Sequence, residues 1–315
     1  RSTAPAAGWA SAINQHGTGG DFLSHCDADD PAEVAGRLAA EGIVTLGIDQ
    51  PLHGLRAGGS GGDLANFNVL NPHSGISNFR QGALDAVYLA RAVASQPVVF
   101  TLPDGSELPL DSDNLHFLGH SQGALTGGLA LPFFGGDVDA AVISAGGGVI
   151  GITLAVRKDP IDFAATFASL LGFGPNEILT PFHPTMAVFQ TLAERTDPVN
   201  YAPYWFAEQG DWSAHRPTSV LLTNGTADAM TPWETAVALA ASGRLAPVGD
   251  LVIDASALAL RHSEDAPTFD GGYVTAGFAQ FQDASHWAIW EVEEAGALYE
   301  EFLGSAALGS AELTR

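Results

Sequence analysis

The sequence predicts an α/β fold in which a mostly parallel central sheet is flanked by helices. Short apolar segments that end in glycine-rich or polar loops alternate with longer segments of helical period, which is typical of such a sheet. The chain has 315 residues, of which 46% are hydrophobic, and this is enough for one large core. We therefore expect a single domain over residues 1–315.

Six segments have the apolar composition of strands, and they are Trp9–Asn14, Ile43–Ile48, Asn114–Leu118, Ala140–Ser144, Ser219–Thr223 and Val274–Phe281. Apolar residues at helical spacing predict helices over Pro31–Glu41, Asn78–Ala94 and Gln122–Ala130. Thr231 is a further predicted helix start, because it is followed by Pro in the first turn and by Glu234 at the reciprocal capping position.

Two stretches interrupt the alternation. The loop over residues 56–77 opens with RAGGSGGD, which is too rich in glycine for regular structure and predicts a mobile surface loop. Residues 151–216 are rich in aromatic side chains and predict a helical cap insertion within the domain. Aromatic residues suit a packed core and an apolar substrate pocket equally well, so both roles stay open for this insertion.

The charge balance excludes some classes of partner. Asp and Glu outnumber Lys and Arg by 36 to 12, which gives a formal net charge of -24. Such a surface repels phosphate backbones and anionic headgroups, so we expect no binding of nucleic acid. Acidity favours an exported protein, secreted or periplasmic. The first residues, RSTAPAAGW, lack both an initiator Met and the apolar stretch of a signal peptide, which indicates a trimmed or processed start. The sequence contains no apolar run of membrane-spanning length and, with Cys26 alone, no intrachain disulfide.

Ser121 lies in the segment GHSQG, which follows an apolar strand and precedes a helical run. A serine that projects from a tight strand-to-helix turn occupies strained backbone, and small residues two positions away let the strand and the helix approach. Gly119 and Gly123 supply those positions. The context therefore predicts that Ser121 is a nucleophile.

These residues, together with the HGTGG segment at His16–Gly20, resemble the α/β-hydrolase superfamily of serine esterase or lipase type. The resemblance extends from HGTGG to the SHW segment near the end of the chain. It implies the order Ser, acid, His along the sequence. It also implies an oxyanion hole formed by the amides of Thr18 and Gln122, with Gly19 as a substitute for Thr18. A glycine turn without a catalytic role remains the alternative for this loop.

The acid implied by the resemblance is Asp228, in SVLLTNGTADAM, because a buried type of strand leads into a polar turn there. Loops at the carboxyl ends of strands hold the sites of such sheets. An aspartate at this position would orient the catalytic imidazole and stabilise its protonated form. Asp250 and Asp254 are weaker candidates.

The base implied by the resemblance is His286, in QDASHWAIW, after the last predicted strand. Histidine suits proton transfer at neutral pH because its ordinary pKa lies near neutrality. His262 is the rival candidate, but it precedes the last strand.

The other histidines, among them His120, His53 and His25, have ordinary structural explanations. The turn DQPLHG at residues 49–54 resembles one found in many relatives, and we expect it to shape the sheet edge near the site. A metal site would need the set His16, Asp21, His25 and Cys26, whose spacing matches no familiar ligand pattern. We expect neither a metal nor a cofactor.

Taken together, these residues predict hydrolysis of carboxylic esters through an acyl-enzyme. The apolar insertion predicts an ester with an apolar acyl or aromatic part, and lipid-like, phthalate-type and polyester-type esters stay open. Acyl transfer, or hydrolysis of a thioester or lactone by the same residues, is the alternative among enzymes. A catalytically inactive hydrolase fold that serves as a binding module is the alternative outside enzymes.

Overall fold

The computed structural model describes residues 4–26, 33–58, 64–68, 71–159, 161–206, 217–253, 265–267 and 273–313. The strands within these ranges are β1 (Trp9–Gln15), β2 (Ile43–Ile48), β3 (Val99–Thr101), β4 (Glu107–His120), β5 (Ala140–Ser144), β6 (Ser219–Gly225), β7 (Ala246–Pro247), β8 (Asp265–Pro267) and β9 (Tyr273–Phe281). The helices are α1 (Val34–Ala40), α2 (Pro72–Ala94), α3 (Gln122–Ala130), α4 (Ile150–Val156), α5 (Phe163–Leu170), α6 (Pro184–Ala193), α7 (Trp233–Gly243), α8 (Ala288–Glu291) and α9 (Glu293–Ala307).

The sheet has the order β2-β1-β4-β5-β6-β9-β7, and every neighbouring pair along this path is parallel. Two short strands pair antiparallel beside it, β3 with β4 and β8 with β9. The predicted fold class is therefore confirmed. Because the strands of the path are parallel, the loops that follow β1, β4, β6 and β9 all leave from one edge of the sheet.

Helices cover both faces of the sheet and form two apolar clusters. Phe117 of β4 packs into the cluster that contains residues of α2, α3 and α7, whereas its neighbour Leu118 packs into the cluster that contains residues of α1 and α9. Leu222 and Leu221 of β6 divide between the same two clusters. Successive strand residues point to opposite faces, so strands buried on both faces have the continuous apolar sequences that predicted them.

The predicted strands β2 and β5 and the helix α3 have the bounds that the sequence indicates. The largest difference among the strands is in β4, which was predicted only over Asn114–Leu118. Its first half pairs with β3, from Val99 opposite Pro109 to Thr101 opposite Glu107. The side chains of this half are mostly exposed or half-buried. Its sequence is therefore polar like that of a turn, which is why the apolar pattern predicted only the second half.

Two predicted helix starts are wrong. Helix α2 begins at Pro72 instead of Asn78, because Asn71 accepts a hydrogen bond from the Ser74 amide as its N-cap. Residues 72–77 are therefore helical and not part of a mobile loop. Helix α7 begins at Trp233 with Pro232 as its N-cap, without the predicted Thr cap.

Two other predictions fall partly outside the described residues. Helix α1 begins at Val34, and residues 31–32 of the predicted helix are not among those described. Most of the glycine-rich segment 57–62 is likewise outside them, whereas Gly54–Arg56 just before it forms a 3-10 helix.

Helices α4, α5 and α6 lie between β5 and β6 in sequence and precede three short 3-10 turns. They share a small apolar cluster that includes Phe163, Phe167 and Met186. The carboxylate of Asp197 joins the start of α4 to the 3-10 turns, since it accepts hydrogen bonds from the amides of Val149 at 3.0 Å and Ile150 at 2.8 Å. Across the described parts of the chain, helices are too short or too polar to cross a lipid bilayer.

Candidate active site

Ser121 occupies the turn between β4 and α3. Its backbone has φ 55° and ψ -114°, a combination that is rare and strained for a residue with a side chain. Hydrogen bonds on both sides hold this conformation, from the Ser121 amide to the Ser144 carbonyl at 2.9 Å and from the Leu125 amide to the Ser121 carbonyl at 3.0 Å. Ser121 is half-buried and lines a cavity, so its hydroxyl group is accessible to a ligand.

The two glycines of GHSQG are required by close contacts. A Cβ atom on Gly123 would lie 1.8 Å from the carbonyl oxygen of Gln15 at the end of β1. A Cβ atom on Gly119 would lie 2.4 Å from the carbonyl oxygen of Gly123. These distances agree with the predicted reason for small residues on both sides of Ser121. They also bring the start of α3 against the loop that follows β1.

Asp228 and His286 form a buried pair at the ends of β6 and β9. The Nδ1 atom of His286 lies 2.8 Å from Oδ2 of Asp228, and both side chains are excluded from solvent. The other carboxylate oxygen accepts hydrogen bonds from the amides of Met230 at 2.8 Å and Thr231 at 2.7 Å. Because the carboxylate accepts a hydrogen bond from the N–H group at Nδ1, Nε2 of a neutral imidazole remains free as an acceptor.

His120 precedes Ser121 in the chain, and its ring packs against that of His286. Its ring centroid is 4.9 Å from that of His286 and 4.9 Å from that of Trp287. Burial first, and the neighbouring ring of His286 second, lower the pKa of His120 well below its usual value, so this ring is neutral at neutral pH. No hydrogen bond joins the Ser121 hydroxyl to His286 in this structure, and such catalytic contacts commonly tighten only when substrate is bound.

The loop after β1 is fixed by His16. Its Nδ1 donates to the Gly17 carbonyl at 2.7 Å, and its Nε2 accepts from the Gln50 amide at 3.1 Å. These two contacts require the neutral ring with the proton on Nδ1. Burial, the largest cause, lowers the pKa of His16, which favours that form. Gln50 also donates from its side chain to the His16 carbonyl.

The two oxyanion candidates are in direct contact. The hydroxyl of Thr18 donates a hydrogen bond to the side-chain carbonyl of Gln122 at 3.0 Å. Both residues line the same cavity as Ser121. Gln122 is the first residue of α3, and an amide at that position has no partner within the helix. Gly19 beside Thr18 is exposed and has φ 82°.

The cavity over Ser121 has a volume of about 170 Å³. Its walls come from α2, α4, α5 and α6 and are largely apolar; they include Ile76, Phe79, Leu154, Phe163, Phe167 and Phe189. Phe163 and Phe167 also belong to the apolar cluster of α4 to α6. Part of the aromatic segment therefore packs a core and lines a pocket at the same time. Arg157, which sequence reasoning overlooked, also lines the cavity.

The DQPLHG turn shapes the edge of the sheet, as expected. The carboxylate of Asp49 accepts hydrogen bonds from the amides of Phe22 and Leu55, each at 2.8 Å. It thereby joins the loop after β1 to the turn after β2, which is the edge strand. Gln50 of this turn was not predicted to matter, although its place directly after a strand is a signal for a site residue.

The alternative candidates have different outcomes. Asp254 and His262 lie outside the described residues, and Asp250 is exposed. The structure brings Asp228, not Asp250, to His286. Among the described residues, no three His, Cys, Asp or Glu side chains are grouped so that they could hold a metal ion.

No protein-family model and no curated protein matches this chain. Solved structures do, at low identity. Acetyl xylan esterase 1 from a Thermoanaerobacterium species is 17% identical with a TM-score of 0.54, over 95% of this chain and 75% of that one. A puromycin-hydrolyzing peptidase from Mycobacterium tuberculosis is 16% identical with a TM-score of 0.54, over 96% of this chain and 36% of that one. Protein TT1662 from Thermus thermophilus is 16% identical with a TM-score of 0.50, over 96% and 91%. At these identities the likeness shows the α/β-hydrolase fold.

Proposed function

We propose that this chain is a serine hydrolase that cleaves carboxylic esters, with Ser121 as nucleophile, His286 as base and Asp228 as the acid of the triad. One observation carries the proposal. A serine with strained backbone lines an apolar cavity, while a buried His-Asp pair occupies the ends of two further strands on the same sheet edge. Strained backbone and buried polar pairs are costly and are found where a function needs them.

The reaction would proceed in two steps. The Ser121 oxygen attacks the ester carbonyl carbon while Nε2 of His286 accepts its proton and passes it to the leaving alcohol. Water then attacks the acyl-enzyme by the same route and releases the acid. Asp228 holds the ring through Nδ1 and stabilises the imidazolium. The amides of Thr18 and Gln122 would stabilise the negative oxygen of both tetrahedral intermediates. No cofactor takes part.

The cavity favours an ester with an apolar acyl or aromatic part. Phe79, Phe163, Phe167 and Phe189 line it, and burial of apolar surface there would contribute to binding. We propose that residues 151–216 act as a cap insertion within a single domain of residues 1–315. Turnover of 4-nitrophenyl acetate, butyrate, octanoate and benzoate tests this. A strong preference for the acetyl ester would contradict a wide apolar pocket.

The direct test of the proposal is Ser121→Ala. We expect this variant to lose turnover of 4-nitrophenyl butyrate and labelling by a fluorophosphonate probe, with an unchanged far-UV circular dichroism spectrum. Ser77→Ala, at an exposed serine of α2, is the matched control and should behave as the wild type. Substantial residual turnover in Ser121→Ala would contradict the assignment of the nucleophile.

The same measurements separate the alternatives. A wild-type chain that does not react with the probe would be an inactive hydrolase fold, and the proposal would be wrong. Product analysis with ethanol as a competing acceptor distinguishes hydrolysis from acyl transfer. Because similar structures include one described as an esterase and one described as a peptidase, a matched 4-nitroanilide should be assayed beside each ester.

A further inference from the structure

Arg157 introduces a positive charge into the cavity over Ser121. Of the described residues that line this cavity, it alone carries a charge. It lies at the C-terminal end of α4, where its amide is held by the Thr153 carbonyl at 2.9 Å. The guanidinium carbon is 5.7 Å from the centre of the Phe163 ring. The cation is therefore in contact with the apolar wall of the pocket.

The guanidinium group of Arg157 has no carboxylate partner among the described residues. Its Nε donates to the Asp159 carbonyl at 2.7 Å, and within the described chain no acceptor is found for its two Nη groups. Four other cations of the described chain have a carboxylate partner at 2.5–2.8 Å, namely Arg37 with Glu300, Arg56 with Asp85, Arg91 with Asp137 and Lys158 with Asp162. The charges of Asp228 and Asp159 act on Arg157 through space, but a half-buried cation without a direct carboxylate contact is incompletely compensated, so its free Nη donors call for a reason.

Asp228 does not serve as the missing partner. Its charge does act on Arg157, since it opposes the effect of burial, which is the larger cause and lowers the pKa of Arg157. However, no hydrogen bond or ion pair joins the two side chains, and the carboxylate of Asp228 instead accepts from His286 and from the amides of Met230 and Thr231. The amide of Lys158 bonds the Ala229 carbonyl at 3.3 Å. Arg157 is thus attached to the loop of the proposed acid but keeps its Nη donors for another group.

We propose that Arg157 binds a carboxylate of the substrate, so that the natural substrate is an ester that also carries a free carboxylate group. This inference rests on the proposed ester hydrolysis at Ser121. The planar guanidinium group matches a carboxylate with two parallel hydrogen bonds, and the apolar walls around it strengthen the attraction by excluding water. A chain with a net charge of -24 otherwise repels anions, so an anionic ester needs a local cation of this kind.

Paired substrates test the inference. The mono-4-nitrophenyl ester of glutaric acid carries the carboxylate on the acyl side, and its methyl-capped form is the neutral match. In 4-(butyryloxy)benzoate the carboxylate is on the alcohol side, and its methyl ester is the neutral match. We expect the wild type to prefer the anionic member of one pair, and Arg157→Gln to lower kcat/KM for that member by about 10- to 100-fold, the usual worth of a charged hydrogen bond.

The neutral members of both pairs should keep their kcat/KM within about threefold in Arg157→Gln, because only the carboxylate contact is lost. Lys158→Gln is the matched control, since it removes the same charge from the next residue, whose side chain is exposed and paired with Asp162. It should leave the preference unchanged. Arg157→Lys should retain part of the preference for the anionic ester, because an ammonium group keeps the charge but cannot form the bidentate hydrogen bonds.

Two results would overturn the inference. If Arg157→Gln lowered turnover of anionic and neutral esters equally, Arg157 would act only through Asp228. If the wild type preferred the neutral esters of both pairs, no carboxylate would bind there. Calorimetry with succinate, glutarate, adipate and phthalate gives a readout without turnover. Ser121→Ala should bind one of them, and Ser121→Ala combined with Arg157→Gln should not. A chain that binds dicarboxylates but cleaves no ester would refute the proposed function and keep the carboxylate site.

Discussion

The hydroxyl group of Thr18 donates a 3.0 Å hydrogen bond to the side-chain carbonyl of Gln122, which connects the loop after β1 to the first residue of α3. The side-chain amide of Gln122 in turn donates to the side-chain carbonyl of Gln50 at 3.3 Å, and the side-chain amide of Gln50 donates to the backbone carbonyl of His16. A chain of side chains thus fixes the distance between the two segments whose backbone amides we propose as the oxyanion hole. Preorganised donors of this kind stabilise a transition state because they need no rearrangement.

Thr18→Val tests the importance of this contact, since valine has nearly the same shape but no hydroxyl group. We expect kcat for 4-nitrophenyl butyrate to fall by about 10-fold with little change in KM, because a loss confined to the transition state lowers kcat and kcat/KM together. The free energy of unfolding should fall by about 1 kcal/mol, the typical worth of one hydrogen bond. Thr18→Ser retains the hydroxyl group and is the control. Equal kcat values for Thr18→Val and the wild type would contradict a positioning role.

Asp228→Asn changes the charge and the donor pattern with almost no change in shape. The asparagine amide would donate to Nδ1 of His286, which places the ring proton on Nε2 and prevents that atom from accepting the Ser121 proton. We expect kcat to fall by about 10³- to 10⁴-fold. Fluorophosphonate labelling should slow in parallel. Asp250→Asn changes an exposed aspartate and should have no effect. A larger loss of kcat in Asp250→Asn than in Asp228→Asn would show that Asp228 is not the acid of the triad.

The sequence predicted those parts of the site that depend on local patterns. GHSQG contains its own requirements, because Gly119 and Gly123 are needed by contacts at the turn itself and at the adjacent end of β1. Asp228 and His286 were chosen because the resemblance implies the order Ser, acid, His and because each follows a strand, since parallel strands bring the segments after them to one edge. The geometry of the pair agrees with that expectation, while the catalytic roles stay predictions.

The contacts that the sequence did not predict join residues far apart in the chain. Thr18 and Gln122 are 104 positions apart, and Gln50 and Gln122 are 72 apart. The sequence places Gln122 in the nucleophile turn and Gln50 directly after a strand, but nothing in the local composition indicates that their side chains meet. Arg157 follows an apolar helix in a segment without a recognised motif, so only the fold shows that it lines the cavity. The start of α2 was missed for a different reason, since the glycine-rich segment before it suggested a longer loop.

Gly123→Ala should destabilise the chain because its new methyl group would lie 1.8 Å from the Gln15 carbonyl oxygen. A backbone atom of a buried central strand cannot move away without disturbing the sheet. Overpacking of this kind costs about 1–3 kcal/mol, and we expect the upper end of that range from urea unfolding. Gly174→Ala is the matched control, since a methyl group there meets no heavy atom within 4 Å. Similar unfolding midpoints for the two variants would show that α3 is not held against β1 as described.

His116 should make the stability of the chain depend on pH. It is fully buried in β4, with its Nε2 atom 2.9 Å from the side-chain oxygen of Asn114, and burial lowers the pKa of His116 from 6.5 to about 4. Folding therefore favours the neutral ring. The stabilisation is fully present above pH 6.5 and is lost as the pH falls towards 4, because the unfolded chain takes up the proton first. The shift corresponds to a loss on the order of 3 kcal/mol across that window.

His116→Gln tests this dependence, because glutamine does not titrate. Between pH 6.5 and pH 4, the free energy of unfolding of the wild type should fall by about 3 kcal/mol more than that of His116→Gln. The buried rings of His16 and His120 also have lowered pKa values and should leave a residual slope in both proteins. His73→Gln, at an exposed position on α2, should follow the wild-type profile. If the profiles of His116→Gln and the wild type ran parallel in urea unfolding, the buried ring would not be the source of the acid sensitivity.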